Sequence, residues 1–379
     1  QMKYNGIHKN SIPDIVVYIN GLPLAIIEAK SPKVSITDAI SDLGYYQENS
    51  QKLFYYNQIC VGINKGKALY GTIGSQFEHY SKYKLEDLIE LESLVERTDT
   101  AQDILIYSLF KKEMLLDIIR NFTIYEIDQG RTIKKLPRYQ QLRAVNKILD
   151  RLKTQNKGGV VWHTQGSGKS ITMVYLATKL RREEAGFDNP TILVVTDRID
   201  LDNQISSTFR RTGFSNPIQA VSISNLKELL KDSYGKTLMT TIHKFQERAE
   251  EQKEEIEILS DKSNVFVLID EAHRSQYGMT AAYMRNSLPN AKFIAFTGTP
   301  IDKEEKSTLR TFYGGSDYID KYTIKQSVED GNTLAIRYQT GMPEYFIEKD
   351  LMNEVFSSVF GHESEEKQAK LKSRAASLD

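Results

Sequence analysis

Gly159-Val160-Val161-Trp162-His163-Thr164-Gln165-Gly166-Ser167-Gly168-Lys169-Ser170 is the stretch whose reading decides the fold. Val160, Val161 and Trp162 make a short buried strand, and the chain turns through Gly166 and Gly168 into an amphipathic helix starting near Lys169. A triphosphate needs backbone N–H donors that only a glycine-permitted turn presents, the positive end of a helix, an ammonium and a hydroxyl for Mg²⁺. Thr164, Gln165, Gly166, Ser167 and Gly168 would supply the donors, Lys169 the ammonium, and Ser170 the hydroxyl that ligates the metal. The strict GxxxxGK[ST] pattern has glycine where this chain has His163, so the match is relaxed at its first position.

Downstream, short apolar runs alternate with amphipathic ones: strands at 191–196, 237–242, 264–269 and 292–297, helices at 199–210 and 224–231. Each strand ends in a polar tip: Thr196-Asp197-Arg198, Thr240-Thr241-Ile242-His243, Asp270-Glu271-Ala272-His273 and Thr297-Gly298-Thr299-Pro300. This is the pattern of a parallel sheet covered by helices, with its site at the carboxyl ends of the strands. Asp270 is then placed to hold Mg²⁺ through water, and Glu271 to orient the water that attacks ATP. Thr297, Gly298 and Thr299 would couple that site to the neighbouring surface. Thr196, Arg198, Thr240 and His243 suit a grip on a sugar–phosphate backbone, or are simply turn-forming polar residues. Upstream, Gln141, or failing that Gln140, opens a helix before the loop and is a candidate adenine sensor, because a glutamine amide both donates and accepts.

The N-terminal part carries a second constellation. Two β-rich runs flank Asn20-Gly21, a hairpin signal, and contain Asp14 and then Glu28-Ala29-Lys30. Phosphodiester hydrolysis needs hard carboxylate oxygens converging on a divalent cation, with a lysine beside the nucleophile, so Asp14 and Glu28 are candidate metal ligands and Lys30 a candidate catalytic ammonium. With strict pairing across a two-residue loop, Asp14 falls opposite Ile27, on the wrong face. An odd loop or a bulge near Pro23 is therefore expected. Beyond it the spacing predicts a helix over 37–47, strand-rich runs at 53–63 and 67–73, and helices over 78–100 and 105–121. The charged run 126–135, closed by Pro137, marks a domain boundary. Phe312-Tyr313-Gly314-Gly315 and residues 324–335 read as partly ordered, and 361–379 as a flexible or helical linker.

Composition sets outer bounds. At 379 residues the chain should hold at least two domains. Its 50 basic and 50 acidic residues cancel, so any nucleic-acid contact must come from local clustering rather than a global field. The single cysteine, Cys60, excludes an internal disulfide framework and suits a reducing compartment. No apolar run approaches the length of a membrane span. Gln1 in place of Met suggests a piece of a longer polypeptide.

Taken together these motifs resemble the restriction (motor and nuclease) subunit of type I restriction-modification enzymes. The residues that carry the resemblance are Pro13-Asp14-Ile15-Val16, Asn20-Gly21-Leu22-Pro23-Leu24, Ile27-Glu28-Ala29-Lys30, Trp162 to Ser170, Thr196-Asp197-Arg198-Ile199-Asp200-Leu201 with Gln204, Asp270 to Gly278, and Phe296-Thr297-Gly298-Thr299-Pro300. The resemblance implies an α/β fold: a PD-(D/E)xK nuclease-like domain over 1–125, a linker over 126–136 and a RecA-like parallel-sheet P-loop lobe over 137–325. Residues 326–379 would lead towards a second lobe. Asp14, Glu28 and Lys30 match the nuclease triad, and Lys169 with Asp270 and Glu271 match motifs I and II of a superfamily-two translocase. Tyr46 matches the tyrosine of a Gln-x-x-x-Tyr pair that contacts DNA, while Asp42 stands where the glutamine is expected. The resemblance further implies ATP and Mg²⁺ as cofactors, double-stranded DNA as substrate, methyltransferase and specificity subunits as partners, and a cytoplasmic location. With one lobe visible, the chain is expected to bind nucleotide and turn it over poorly. A competing expectation keeps the motor and treats the N-terminal domain as a docking module.

Overall fold

The alternating pattern of the N-terminal residues folds them into a four-stranded sheet. In the computed structural model, which describes residues 2–86, 88–94, 100–128, 130–197, 199–212, 217–232, 234–251, 256–270, 277–300, 317–335 and 349–375, this sheet has the order β1-β2-β3-β4. Strands β1 (Ile15–Ile19) and β2 (Leu22–Ala29) are antiparallel and joined by Asn20 and Gly21 at φ 51° and 79°. Both central residues of a twist-matched hairpin turn need that left-handed conformation. The pairing runs Ile19 with Leu22 and Tyr18 with Pro23, then jumps to Val17 with Ala25, leaving Leu24 as an extra residue. The bulge expected near Pro23 is therefore present, within a two-residue loop, and the shifted register carries Asp14 opposite Glu28.

Strand β3 (Ile59–Asn64) lies parallel to β2, and β4 (Lys67–Gly71) is antiparallel to β3. The connection is helix α1 (Ile36–Asn49), capped by the Ser35 hydroxyl, which buries Ile36, Ile40 and Leu43 against the sheet. Three expectations need correction. The run 53–63 begins as a short helix, α2 (Gln51–Phe54), because Leu53 and Phe54 bury their side chains just as well in a helical turn. The segment 78–100 is not one helix: a 3-10 turn (Phe77–His79) ends where Ser81 bridges Tyr70 and the chain runs extended, and among the described residues only α3 (Ile89–Glu92) is α-helical. Residues 105–121 divide into α4 (Ala101–Phe110), α5 (Lys112–Asp117) and a π-helical turn (Ile118–Phe122), because Lys111 takes an extended ψ of 126°.

Residues 126–136, expected as linker, contain most of a hairpin, β5 (Ile124–Asp128) with β6 (Arg131–Lys135). Buried Lys134 donates to the Asn57 carbonyl at 2.8 Å and to Gln58 Oε1 at 2.7 Å, tying this hairpin to the first sheet. Burial lowers the pKa of its ammonium to about 8.

The second sheet has seven strands, all parallel, in the order β13-β7-β12-β11-β8-β10-β9. They are β7 (Gly159–His163), β8 (Thr191–Thr196), β9 (Ile218–Gln219), β10 (Thr237–Thr241), β11 (Val265–Asp270), β12 (Lys292–Thr297) and β13 (Asp320–Tyr322). Helix α6 (Tyr139–Gln155) leads into β7, and helices α7 (Lys169–Leu180), α8 (Ile199–Arg211), α9 (Ile223–Lys231), α10 (Ile242–Glu251) and α11 (Tyr277–Ser287) connect successive strands from β7 to β12. Near-continuous apolar runs such as Val265 to Ile269 are buried on both faces, as covered parallel strands must be.

Strand β13 had no periodic signal in the sequence, yet it places the fully buried Asp320 beside β7. Arg143 of α6 grips that carboxylate with Nε at 2.8 Å and Nη2 at 2.9 Å, Lys147 adds a contact at 3.2 Å, and His163 Nε2 lies 2.8 Å from Oδ2. Burial would raise the Asp320 pKa, but the His163 and Arg143 contacts outweigh it and hold the carboxyl below its ordinary range. His163, whose pKa burial lowers, thus stands where the strict loop pattern has glycine because its ring fastens β7 to β13.

Both sheets belong to one compact unit, residues 1–334; residues 335–379 form another, with helices Lys349–Phe360 and Glu365–Ala375. Replacing Asp320 by alanine removes the buried acceptor shared by Arg143 and His163, leaving Arg143 only the half-exposed Glu86 at 3.3 Å, and is expected to lower stability by about 3–5 kcal/mol. Urea unfolding followed through Trp162, the only tryptophan, would measure it, and an unchanged midpoint would contradict it. Between about pH 8 and the ordinary lysine value of 10.5 an unfolded chain holds a Lys134 proton that the folded one does not. The unfolding free energy of the wild type should therefore gain on that of Lys134→Met as pH rises through this window; a constant difference would be the contrary result.

Candidate functional site

The loop after β7 is held from both sides. Thr164 N–H donates to the Tyr322 carbonyl at 2.9 Å, and Ser167 N–H donates back to the Thr164 carbonyl at 3.2 Å. Gly166 and Gly168 have φ of 80° and 89°, the left-handed region that side chains avoid. Space is short as well: a Cβ on Gly168 would lie 2.5 Å from Gln141 Nε2. Helix α7, twelve residues long, starts at once with Lys169 and Ser170, so its positive end faces the cradle. Lys169 is 9% exposed, and Ser167 Oγ is buried with no hydrogen-bond partner.

Gly298, just past β12, closes against this loop. Trp162 Nε1–H donates to its carbonyl at 3.2 Å, and a Cβ there would sit 3.1 Å from Gln165 N and 3.5 Å from Lys169 Nζ. Asp270 ends β11, the strand beyond β12, so it stands two strand spacings from β7, about 10 Å across the sheet. The structure thus gathers 164–170, Gly298 and Asp270 along one end of the sheet. Glu271, Arg198 and residues 312–315 lie outside the described residues.

Other sequence candidates are placed differently. Gln141 is engaged locally: Oε1 accepts from Arg138 N–H at 2.8 Å and Nε2 donates to the Gly168 carbonyl at 3.2 Å, coupling the start of α6 to the loop. Gln140 is fully buried, and neither atom of its amide has a hydrogen-bond partner. Thr196 and Thr240 are interior residues at the ends of β8 and β10 rather than open loop residues. His243 is exposed, its Nδ1 2.9 Å from Gln246 Oε1.

The N-terminal constellation comes together on one face. Asp14 Oδ2 accepts from Ala29 N–H at 2.8 Å, beside Glu28. Glu28 is 3% exposed; its Oε1 accepts from Lys30 Nζ at 2.8 Å and from Tyr46 OH at 3.4 Å, whereas Oε2 is buried without a partner. Burial raises the Glu28 pKa, the Asp14 charge adds to that, and the Lys30 contact opposes it. The Tyr46 phenol is pushed up to about 12, first by burial and then by the Glu28 and Asp42 charges. Lys30 Nζ also donates to Asp42 Oδ2 of α1, a partner that motif reading missed. The signal was there, since Asp42 and Tyr46 are four apart and so share a helix face. For Lys30, burial pulls the pKa down, but the Asp42 and Glu28 contacts outweigh it and raise it.

A hard divalent cation fits this donor set. Mg²⁺ commonly takes one or two carboxylates and keeps several waters. Among the described residues no three His, Cys, Asp or Glu side chains converge as a complete cage, so Asp14 and the free Glu28 oxygen would be the protein's share.

A family model described as SWI2/SNF2 ATPase matches residues 140–369, more than half of the chain. The chain belongs to the SWI2/SNF2 ATPase family. The first 79 residues of this ATPase match the family model for the type I restriction enzyme R protein N terminus. Among curated proteins it is 38% identical over 353 residues to the type I restriction enzyme HindI endonuclease subunit of Haemophilus influenzae, covering 86% of this chain and 33% of the relative. It is 34% identical over 372 residues to the putative MjaIXP endonuclease subunit of Methanocaldococcus jannaschii, covering 92% and 34%. The chain spans about a third of the length of the curated relatives it matches.

Gly168→Ala imposes both a left-handed alanine and a clash with Gln141. It should weaken binding of a fluorescent ADP analogue by about tenfold or more, on the basis of a local strain of about 1–3 kcal/mol. Unchanged affinity would remove the loop from the nucleotide site.

Proposed function

We propose that this chain is the nuclease- and motor-bearing part of a type I restriction R subunit: an ATP-dependent translocase on double-stranded DNA that cleaves it with Mg²⁺. The observation that carries this reading is the pairing, within one compact unit, of a glycine-built phosphate cradle and a buried carboxylate with an unused oxygen. Domains are assigned accordingly, with a nuclease-like region over 1–125, a junction over 126–136, a motor lobe over 137–325 and a connecting segment over 326–379.

At the motor, residues 164–168 would cradle the phosphates of ATP, Lys169 would neutralise their terminal oxygens, and Ser170 with Asp270 would hold Mg²⁺. Glu271 would orient water. Gln141 would report on the base side through its bond to Gly168. When bound, the metal supplies charge neutralisation of the phosphates. At the N-terminal site Asp14 and Glu28 would hold a second cation, and Lys30 would steady charge developing on the cleaved phosphate. Tyr46, Arg198 and His243 would meet the DNA backbone, with Thr196 and Thr240 supporting the strand ends beneath them. Methyltransferase and specificity subunits would complete the assembly in the cytoplasm, which accords with a chain whose single cysteine is buried and free.

Two substitutions test the division of labour in the assembled enzyme. Asp14→Ala should abolish DNA cleavage while leaving nucleotide affinity within about twofold, given its place on the other sheet. Lys169→Ala should abolish ATP hydrolysis. Retained cleavage by the Asp14 variant would make the N-terminal domain a docking module instead.

A further inference from the structure

Helix α1 presents two side chains to the N-terminal site, four residues apart on one face. Tyr46 hydroxyl reaches Glu28 Oε1 at 3.4 Å, and Asp42 Oδ2 accepts from Lys30 Nζ. The helix itself has little freedom. The Ser35 hydroxyl caps it, and Ile36, Ile40 and Leu43 are buried in the core. Gly62 faces Glu28 across β3, and a Cβ there would lie 3.2 Å from Ile40 Cγ1, so the glycine lets α1 lie close to the sheet.

Lys30 therefore sits between two carboxylates of opposite character. Glu28 is buried, and Lys30 binds one of its two oxygens at 2.8 Å. The Asp42 side chain is 44% exposed. An ammonium resting on a buried carboxylate competes with any cation that the same carboxylate is to hold. A second, more solvated carboxylate on the far side of the ammonium shares its charge and weakens that competition.

We propose that Asp42 is a positioning residue for Lys30: it draws the ammonium partly off Glu28, so that Glu28 can ligate a divalent cation while Lys30 stays in the site. The proposal rests on the reading of Asp14 and Glu28 as cation ligands. It also gives a physical role to an aspartate standing where the resemblance implies glutamine, since an amide would carry no charge to divide the ammonium between two acids.

The test uses the whole 379-residue chain, free of nucleotide, with Mn²⁺ as the probe and its free-ion EPR signal as the readout. The binding component lost in Glu28→Gln defines the site. Asp42→Asn should weaken that component by about tenfold, as for loss of a supporting partner of a metal ligand, and Asp42→Glu should restore most of it. With Lys30 already replaced by methionine, adding Asp42→Asn should change the affinity by less than about twofold, because the residue it acts through is gone. Equal weakening with and without Lys30 would mean that Asp42 acts on the cation directly and would overturn the proposal, as would unchanged affinity in Asp42→Asn alone. If no Mn²⁺ component depends on Glu28, the cation-site reading itself fails, and the proposal with it.

Discussion

Asp320 carries the buried charge around which the glycine-bearing loop after β7 is assembled. Its two oxygens take four contacts, from the Nε and Nη2 of Arg143, from Lys147 and from His163. Each contact joins it to another element, so α6, β7 and β13 cannot separate without exposing an unpaired ion in the interior. The loop begins one residue after His163, with its first N–H tied to Tyr322 of the same short strand. A loop proposed to cradle phosphate must keep its shape while empty if binding energy is not to be spent on ordering it, and this fastening holds the loop after β7 in place.

Glu28 makes the instructive contrast. It too is a carboxylate under the surface with a cation beside it, but one oxygen is occupied and the other is left without a donor. A fully contacted carboxylate acts as a fastener, whereas one with a buried, unused oxygen is suited to a ligand. The two sheets that carry these acids are not independent bodies. Tyr70 OH donates to the Pro137 carbonyl at 2.6 Å, Lys134 ties the junction hairpin to the first sheet, and one apolar cluster runs from Ile27 and Val61 through Leu105 and Phe122 to Tyr175 and Val194. Lys179 of α7 bonds both Asp117 and Asn146, so the helix that follows the loop after β7 is also packed against the N-terminal part.

Much of this is legible in the sequence. The parallel-sheet lobe could be read because covered parallel strands are short apolar runs, and because glycines at 166 and 168 have few uses other than a tight turn. The hairpin bulge followed from parity alone, since only an extra residue puts Asp14 and Glu28 on one face. What could not be read was fixed by contacts distant in the chain. Strand β13 is three residues, two of them charged, and exists because β7 offers it an edge and Arg143 a partner. Lys134 sits in a charge run that looks like linker; its burial depends on acceptors at Asn57 and Gln58. Thr196 and Thr240 read as loop polars, yet the strands extend far enough to bury them. Asp42 departs from the motif in the sequence, but its pairing with Lys30 appears only when α1 is laid on the sheet.

On the proposed function, one chain holds two separate stations for anionic oxygen. Crystals of the protein grown with Mn²⁺ and a non-hydrolysable ATP analogue, with anomalous scattering measured near the manganese edge, address it directly. Two peaks are expected, one between Asp14 and the free oxygen of Glu28, the other beside Ser170 and Asp270. A map with density at the nucleotide alone, and none at Glu28, would contradict it.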